Sequence, residues 1–225
     1  SSTSNTYQDD NGYYTSTVYW FKYEPIKWRI LKESDGKALI LADLAIDSQQ
    51  YYHDRYDGTQ TRNGKSVYAN NYAESDIRKW LNDTFYNTAF TSLQKGLIEV
   101  TNVDNSVSSM RYTSKQYACP NTNDKVFLLS YQEASAYLTS DSERQMKSSD
   151  YAKSQGVCKK SSYGGTCLWW LRSPDNSNSD YARIVHFGGD LDYAYYVYTT
   201  SYGVLPALVI RTSQNVKSTE LDDPS

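Results

Sequence analysis

The alternation of apolar and polar positions lays out most of the elements of this chain. Ile26-Lys-Trp-Arg-Ile-Leu31 alternates, Ser34-Asp35-Gly36 interrupts it with turn residues, and Lys37-Ala-Leu-Ile-Leu-Ala42 follows as a more apolar run. That pattern predicts an antiparallel hairpin with a buried return strand. From Asp47 to Ala73 the period is lost among polar, aromatic and turn residues, so a packed surface loop or small irregular layer is expected, with Asn63-Gly64 turning a minor hairpin. The period then becomes helical. Ile77, Trp80, Leu81 and Phe85 share one face behind a Ser75-Asp76 cap, and a second short helix is predicted after Thr91, with Leu93 and Leu97 inward and an extended 98–101 beyond it. Residues 102–123 read as loop. Val126-Phe-Leu-Leu129 predicts a strand that runs straight into a helix opened by the capping box Ser130-Tyr-Gln-Glu133 and directed towards Leu138. One more helical turn is expected at 151–155, before Gly156.

The densest aromatic stretch follows. In Cys167-Leu-Trp-Trp-Leu-Arg-Ser-Pro174, the period of two sends Trp169 and Trp170 to opposite sides of one strand, while Arg172 and Pro174 suit a strand leaving the core. Residues 181–187 and 191–198 read as two strands joined across Gly188-Gly189, and 204–211 as the closing strand. Strands at both ends with helices between them predict an α+β fold of antiparallel sheets, two or more packed helices and long loops. A single domain over 18–211 is expected between polar tails at 1–17 and 212–225, the first of which is a candidate for an additional strand near 13–19.

Composition narrows the function classes. Mean hydropathy is low at −0.73, but 23 Tyr and 5 Trp supply apolar area that hydropathy scales underrate. A net charge of −3 with scattered Lys and Arg argues against nucleic acid. No run approaches the roughly 18 apolar residues of a membrane span, so membrane insertion of this segment is not expected. The start lacks a signal-peptide pattern, and Ser1 reads as a processed or trimmed end. Abundant Tyr, Ser, Thr and Asn point to an extracellular or bacterial cell-surface location. Cys119, Cys158 and Cys167 leave the pairing open: a Cys158–Cys167 disulfide closing the loop between them, with Cys119 able to compete for either partner, or three ordinary thiols. His53 and His186 read as a surface and a half-buried sheet histidine. No zinc signature occurs, and Gly64-Lys65-Ser66 reads as a hairpin tip rather than a phosphate loop. Asp175, Asp180, Asp190 and Asp192 do not have EF-hand spacing. Neither a cofactor nor a metal is expected.

Five ordered motifs carry a resemblance: residues 26–31, Ile77-Arg-Lys-Trp-Leu-Asn82, Asp124-Lys-Val-Phe-Leu-Leu-Ser130, Trp169-Trp-Leu-Arg-Ser-Pro174 and Pro206-Ala-Leu-Val-Ile210. Together they resemble an uncharacterised family of bacterial surface and secreted domains, which is similar to the C-type-lectin-like fold and, more distantly, to formylglycine-generating enzymes and retroelement-diversified ligand binders. The resemblance covers roughly 18–211 and implies that fold and a surface location, without implying an activity. It departs at Leu205, where the family usually has Arg before Pro-Ala. If that Arg pairs with a carboxylate near the Trp strand in the family, the pairing is missing here.

The candidate ligand face lies between 175 and 202. Tyr181, Tyr193, Tyr195, Tyr196, Tyr198 and Tyr202, with Asn176, Asn178, Asp180, Asp190 and Asp192, combine rigid aromatic area with hydrogen-bonding groups suited to a glycan or a protein ligand. Alternation places only half of the strand tyrosines on one face; the others are expected in or against the core. The sequence thus reads as a non-catalytic binding module. Its rivals are a cysteine-dependent oxidase of the formylglycine-generating type, using Cys158 or Cys167, and a structural segment of a larger surface protein.

Overall fold

The computed structural model describes residues 14, 17–21, 24–112 and 115–212. Most of the two expected tails lie outside the described residues, as do residues 13, 15 and 16 of the candidate strand at 13–19; of its described residues, Tyr14 makes an isolated bridge and 17–19 are not in a strand. The first hairpin forms as the alternation predicts: β1 (Trp28–Ser34) pairs antiparallel with β2 (Lys37–Ala42). Asp35 and Gly36 take φ of 53° and 68°, the left-handed pair that a two-residue turn of this hand requires. The register shifts between Ile30 and Lys32, a bulge on β1. Beyond β3 (Asp47–Ser48), β4 (Gln60–Arg62) and β5 (Lys65–Val67) make the minor hairpin around Asn63-Gly64, so Gly64-Lys65-Ser66 does sit at a hairpin tip.

Ser75 caps α1 (Asp76–Trp80), its Oγ accepting the Arg78 N–H at 3.2 Å; a π-helical turn over Leu81–Phe85 continues into α2 (Tyr86–Ala89). Ile77, Leu81 and Phe85 are buried, and Trp80 stacks on Phe85 with centroids 5.5 Å apart. Asn82, inside the π turn, donates to Val126 O at 2.8 Å and accepts from the Lys125 N–H at 2.8 Å, which moors the helix to the apolar run 126–129. The helix after Thr91 exists as α3 (Ser92–Lys95), but Leu93 is 85% exposed rather than inward. A single turn ends before Leu97 can join Leu93 on one face, and the chain instead reaches the core through Ile98, which bridges to Ile210.

Within the stretch read as loop, β6 (Thr101–Val103) pairs with β7 (Thr122–Asp124). Val126–Leu129 is buried as expected, yet it makes one bridge, Phe127 to Ala207, and no ladder. Side chains satisfy part of its backbone, Asn82 serving residue 126 and Arg172 Nη1 donating to Leu128 O at 2.7 Å, while Leu129 O accepts the Arg172 backbone N–H at 2.9 Å. The capping box then opens α4 (Tyr131–Tyr137), followed by α5 (Asp141–Arg144), α6 (Asp150–Ser154) and the short pair β8 (Lys159–Lys160) and β9 (Thr166–Cys167).

The last third completes two sheets. β10 (Trp169–Pro174), β11 (Tyr181–Val185), β12 (Tyr193–Tyr196) and β13 (Gly203–Val204) join β3 in the order β12-β11-β10-β13-β3, with only β10 and β13 parallel. β14 (Ala207–Arg211) pairs with β2 to give a three-stranded antiparallel sheet β1-β2-β14. The closing strand expected over 204–211 is therefore two strands, broken at Leu205-Pro206, and Pro206 O accepts the Ala42 N–H at 2.9 Å. The result is an α+β domain.

β10 divides its core. Trp169 and Trp170 are both 0% exposed and face opposite ways: Trp170 packs with Tyr51, Ile184 and Tyr202, and Trp169 with Leu129, Leu171 and Val185. Arg172, expected where the strand leaves the core, is 1% exposed. It stays inside because all of its donors are satisfied: beyond Leu128 O, Nη2 donates to Asp104 O and to Glu133 Oε1, each at 2.9 Å, and Nη1 to Glu133 Oε2. Glu133 is also the capping-box carboxylate of α4, accepting the Ser130 N–H at 2.9 Å. The same carboxylate thereby caps a helix and neutralises the central strand. Leu205, where the resemblance places an arginine, is fully buried among apolar side chains, and Glu133 and Asp175 take Arg172 and Arg183 instead.

Candidate functional site

β12 is an edge strand, and its register on β11 decides which tyrosines reach solvent. Tyr193 stands opposite Ile184 and Tyr195 opposite Ala182, so both project on the Trp170 side of the sheet but past the last covered strand. They are 44% and 46% exposed, and Tyr198, just beyond the strand, is 39% exposed. The neighbouring Tyr196 belongs to the other side of the strand, opposite Tyr181, and is half-buried.

These rings are held rather than loose. Tyr195 meets Tyr202 at 5.4 Å, Tyr202 meets Trp170 at 4.9 Å and Trp170 meets Tyr51 at 5.7 Å, an aromatic file running from the core to the surface. Tyr196 lies 4.4 Å from Tyr181 and 5.3 Å from Tyr198, and the Arg55 guanidinium sits 4.2 Å from its ring centre. The hydrogen bond between Tyr181 and Tyr196, with partial desolvation, pushes the Tyr181 hydroxyl up to about 12. Tyr193 stacks on His186 at 4.4 Å and 21°, and Tyr163 meets His186 edge-on at 5.8 Å.

The other expected site residues divide. Tyr202 is buried beneath Tyr195 and supports it from inside; burial raises its hydroxyl well above the ordinary tyrosine value. Asp180 is also buried, and Arg55 Nε donates to it at 2.7 Å. Both were read as ligand contacts, and burial makes them supports of the face instead. Asn178 is exposed and Asn176 half-buried; each serves the loop, Asn178 donating to Asp175 at 3.1 Å and Asn176 accepting from Arg183 at 3.0 Å. Asp190, half-buried, accepts the Asp192 N–H at 2.8 Å in the turn before β12, and the exposed Asp192 pairs with Arg111 at 2.6 Å. Arginines thus neutralise Asp175, Asp180 and Asp192. Among the described residues no group of three or more His, Cys, Asp or Glu is arranged to hold a metal ion.

Sequence reasoning missed Arg55, His186 and Tyr163 as parts of this face. For Arg55 the only available signal was the aromatic-basic run Tyr51-Tyr-His-Asp-Arg-Tyr56, whose approach to β12 depends on long-range folding. His53 lies outside the face, exposed and 2.6 Å from Asp76.

The three cysteines are thiols, and the Cys158–Cys167 disulfide is not formed. Lys159 is the residue opposite Cys167, so Cys158 is one position out of register; it packs against the Trp170 side of the core while Cys167 lies on the Trp169 side. Burial pushes the Cys167 thiol up to about 12 and raises Cys119 as well, which disfavours the reactive thiolate at both. A cleft of about 370 Å³ lies elsewhere, between β5 and β7. No helix among the described residues is long and apolar enough to cross a membrane.

The fold is thus an α+β domain in which Cys119 and Cys167 are buried thiols. Residues 35–212 match the family model Domain of unknown function (DUF6273), and the chain belongs to that family. It matches no curated protein and no solved structure.

Proposed function

We propose that this chain is a non-catalytic binding module, extracellular or on a bacterial cell surface, whose tyrosine edge takes a glycan or a protein ligand. The C-type-lectin-like fold belongs to the same proposal; its support is the pairing of the first hairpin with the last strand around intervening helices and long loops. The observation that carries the binding reading is the exposure of Tyr193, Tyr195 and Tyr198 together on one edge, over a frame of buried rings and ion pairs. Rigid aromatic area costs little ordering entropy on binding, and the flanking Asn178 and Asp192 add hydrogen-bonding groups. Of the two cysteines the oxidase reading would use, Cys167 is fully buried with its thiol raised, which weighs against it as the reactive group.

The test is binding of the purified chain to a broad glycan array and to surface extract, each with calcium and with EDTA. The expected result is a defined ligand, retained in EDTA and lost when Tyr193, Tyr195 and Tyr198 are all replaced by Ala. Binding that survives the triple replacement places the site elsewhere, and loss in EDTA overturns the metal-free reading.

A further inference from the structure

The cleft between β5 and β7 has a chemistry different from the tyrosine edge. Its charges are already matched: Lys65 Nζ lies 2.8 Å from Glu74, and Arg78 lies 2.7 Å from the fully buried Asp124. An anion entering here competes with Glu74 and Asp124 for the cations, and a cation competes with Lys65 and Arg78 for the carboxylates. What remains is amide. Asn71 Oδ1 accepts the Glu74 N–H at 3.2 Å, Asn121 Oδ1 the Asn105 N–H at 3.0 Å, and Asn123 Oδ1 the Asn102 side chain at 3.0 Å. Each oxygen is thus engaged, which fixes the amide planes, while the amide nitrogens of Asn71 and Asn123 make no hydrogen bond to protein among the described residues. Lys65 retains further donors, and Glu74 retains acceptor capacity beyond Lys65 and Asn63.

We propose that this cleft is a second binding site, for a neutral, hydroxyl-rich ligand of the saccharide class. Hydroxyls both donate and accept, so one sugar ring can use the amide nitrogens, the lysine and the carboxylate together without breaking either ion pair. Its volume is at the low end of the roughly 300–1,000 Å³ of small-molecule sites, which suits a monosaccharide or disaccharide. Val67, Ala73 and Pro120 give the small apolar area that a sugar's C–H face covers, and the lining contains no aromatic ring on which a flat heterocycle would stack. The site shares no residue with the tyrosine edge and stands independently of it.

The test is amide-detected NMR titration of the full chain with glucose, galactose, mannose and N-acetylglucosamine, with glucuronate and glucosamine as charged counterparts. At least one neutral sugar is expected to shift the side-chain amide signals of Asn71 and Asn123, and to bind more tightly than either charged one. Asn123→Asp keeps the acceptor for Asn102 but removes the amide donor, and Asn123→Ala removes both; each is expected to weaken binding about tenfold, the loss of about one hydrogen bond. Tyr195→Ala is expected to leave it unchanged. The proposal is overturned if no neutral sugar shifts these signals, if glucuronate or glucosamine binds more tightly, or if the shifts fall on β12 instead.

Discussion

Two aromatic strands of one sheet, β10 and β12, are built from similar material and end in opposite environments. β10 is buried along its whole length, and its adjacent Trp169 and Trp170 divide between two core clusters. β12 has one partner strand, and its tyrosines alternate between exposed and half-buried. The difference lies in neighbours rather than composition: a strand paired on both sides and covered on both faces makes every ring a packing element, and an edge strand releases every second ring. The two strands remain mechanically linked, because the file Trp170, Tyr202, Tyr195 passes from one to the other.

The sharpest way to break this comparison is to truncate one ring in each strand. Trp170→Ala removes a fully buried side chain and is expected to cost about 3–5 kcal/mol in urea unfolding, whereas Tyr195→Ala is expected to cost about 1 kcal/mol or less. Similar losses would mean that β12 is as much core as β10. Next in size is Glu133→Ala, which strips the carboxylate from buried Arg172 and half of the α4 capping box; the partial exposure of Glu133 limits the loss to roughly 2–4 kcal/mol, read as a lowered unfolding midpoint. Ser130→Ala removes the other half of the box and is expected to cost about 1 kcal/mol. Comparing the two replacements apportions Glu133 between helix and strand.

The smallest expected effect is alkaline and confined to the edge. Tyr181 holds its proton up to about 12 in the fold, above the ordinary tyrosine value of about 10. A pKa raised by folding contributes stability that is complete below the unfolded value and is lost as pH rises through the folded one. Tyr181→Phe is therefore expected to flatten the fall in stability between pH of about 10 and about 12. An unchanged slope in that window would detach the Tyr181–Tyr196 pair from the edge's stability.

The parts legible in the sequence were those fixed by local chemistry. Adjacent tryptophans in a strand must diverge, Asp35-Gly36 and Asn63-Gly64 accept left-handed φ, and Ser130 with Glu133 closes a capping box whatever surrounds it. What stayed hidden depends on partners distant in the chain. Burial of Arg172 needs Glu133 and Asp104, the missing ladder at 126–129 reflects Asn82 and Arg172, and burial of Asp180 needs Arg55. Leu93 misled because helical spacing implies a face only if the helix lasts beyond one turn. Within the candidate site, strand alternation anticipated that only part of the tyrosine set would be exposed, but not that Tyr202 would lie beneath Tyr195.

The break at Leu205-Pro206 has a consequence for how the chain acquires its structure. β13 closes a gap between β10 and β3, and β14 supplies the third strand beside β2, so each sheet has a vacancy until residues 203–211 have left the ribosome. Pairings that join the last strands to positions near 40 and 47 span most of the chain, and such distant contacts slow folding. The nascent domain therefore waits on its final strands. Hairpin β1-β2 and the helices can form early, and both sheets are completed together, late, by one nine-residue segment.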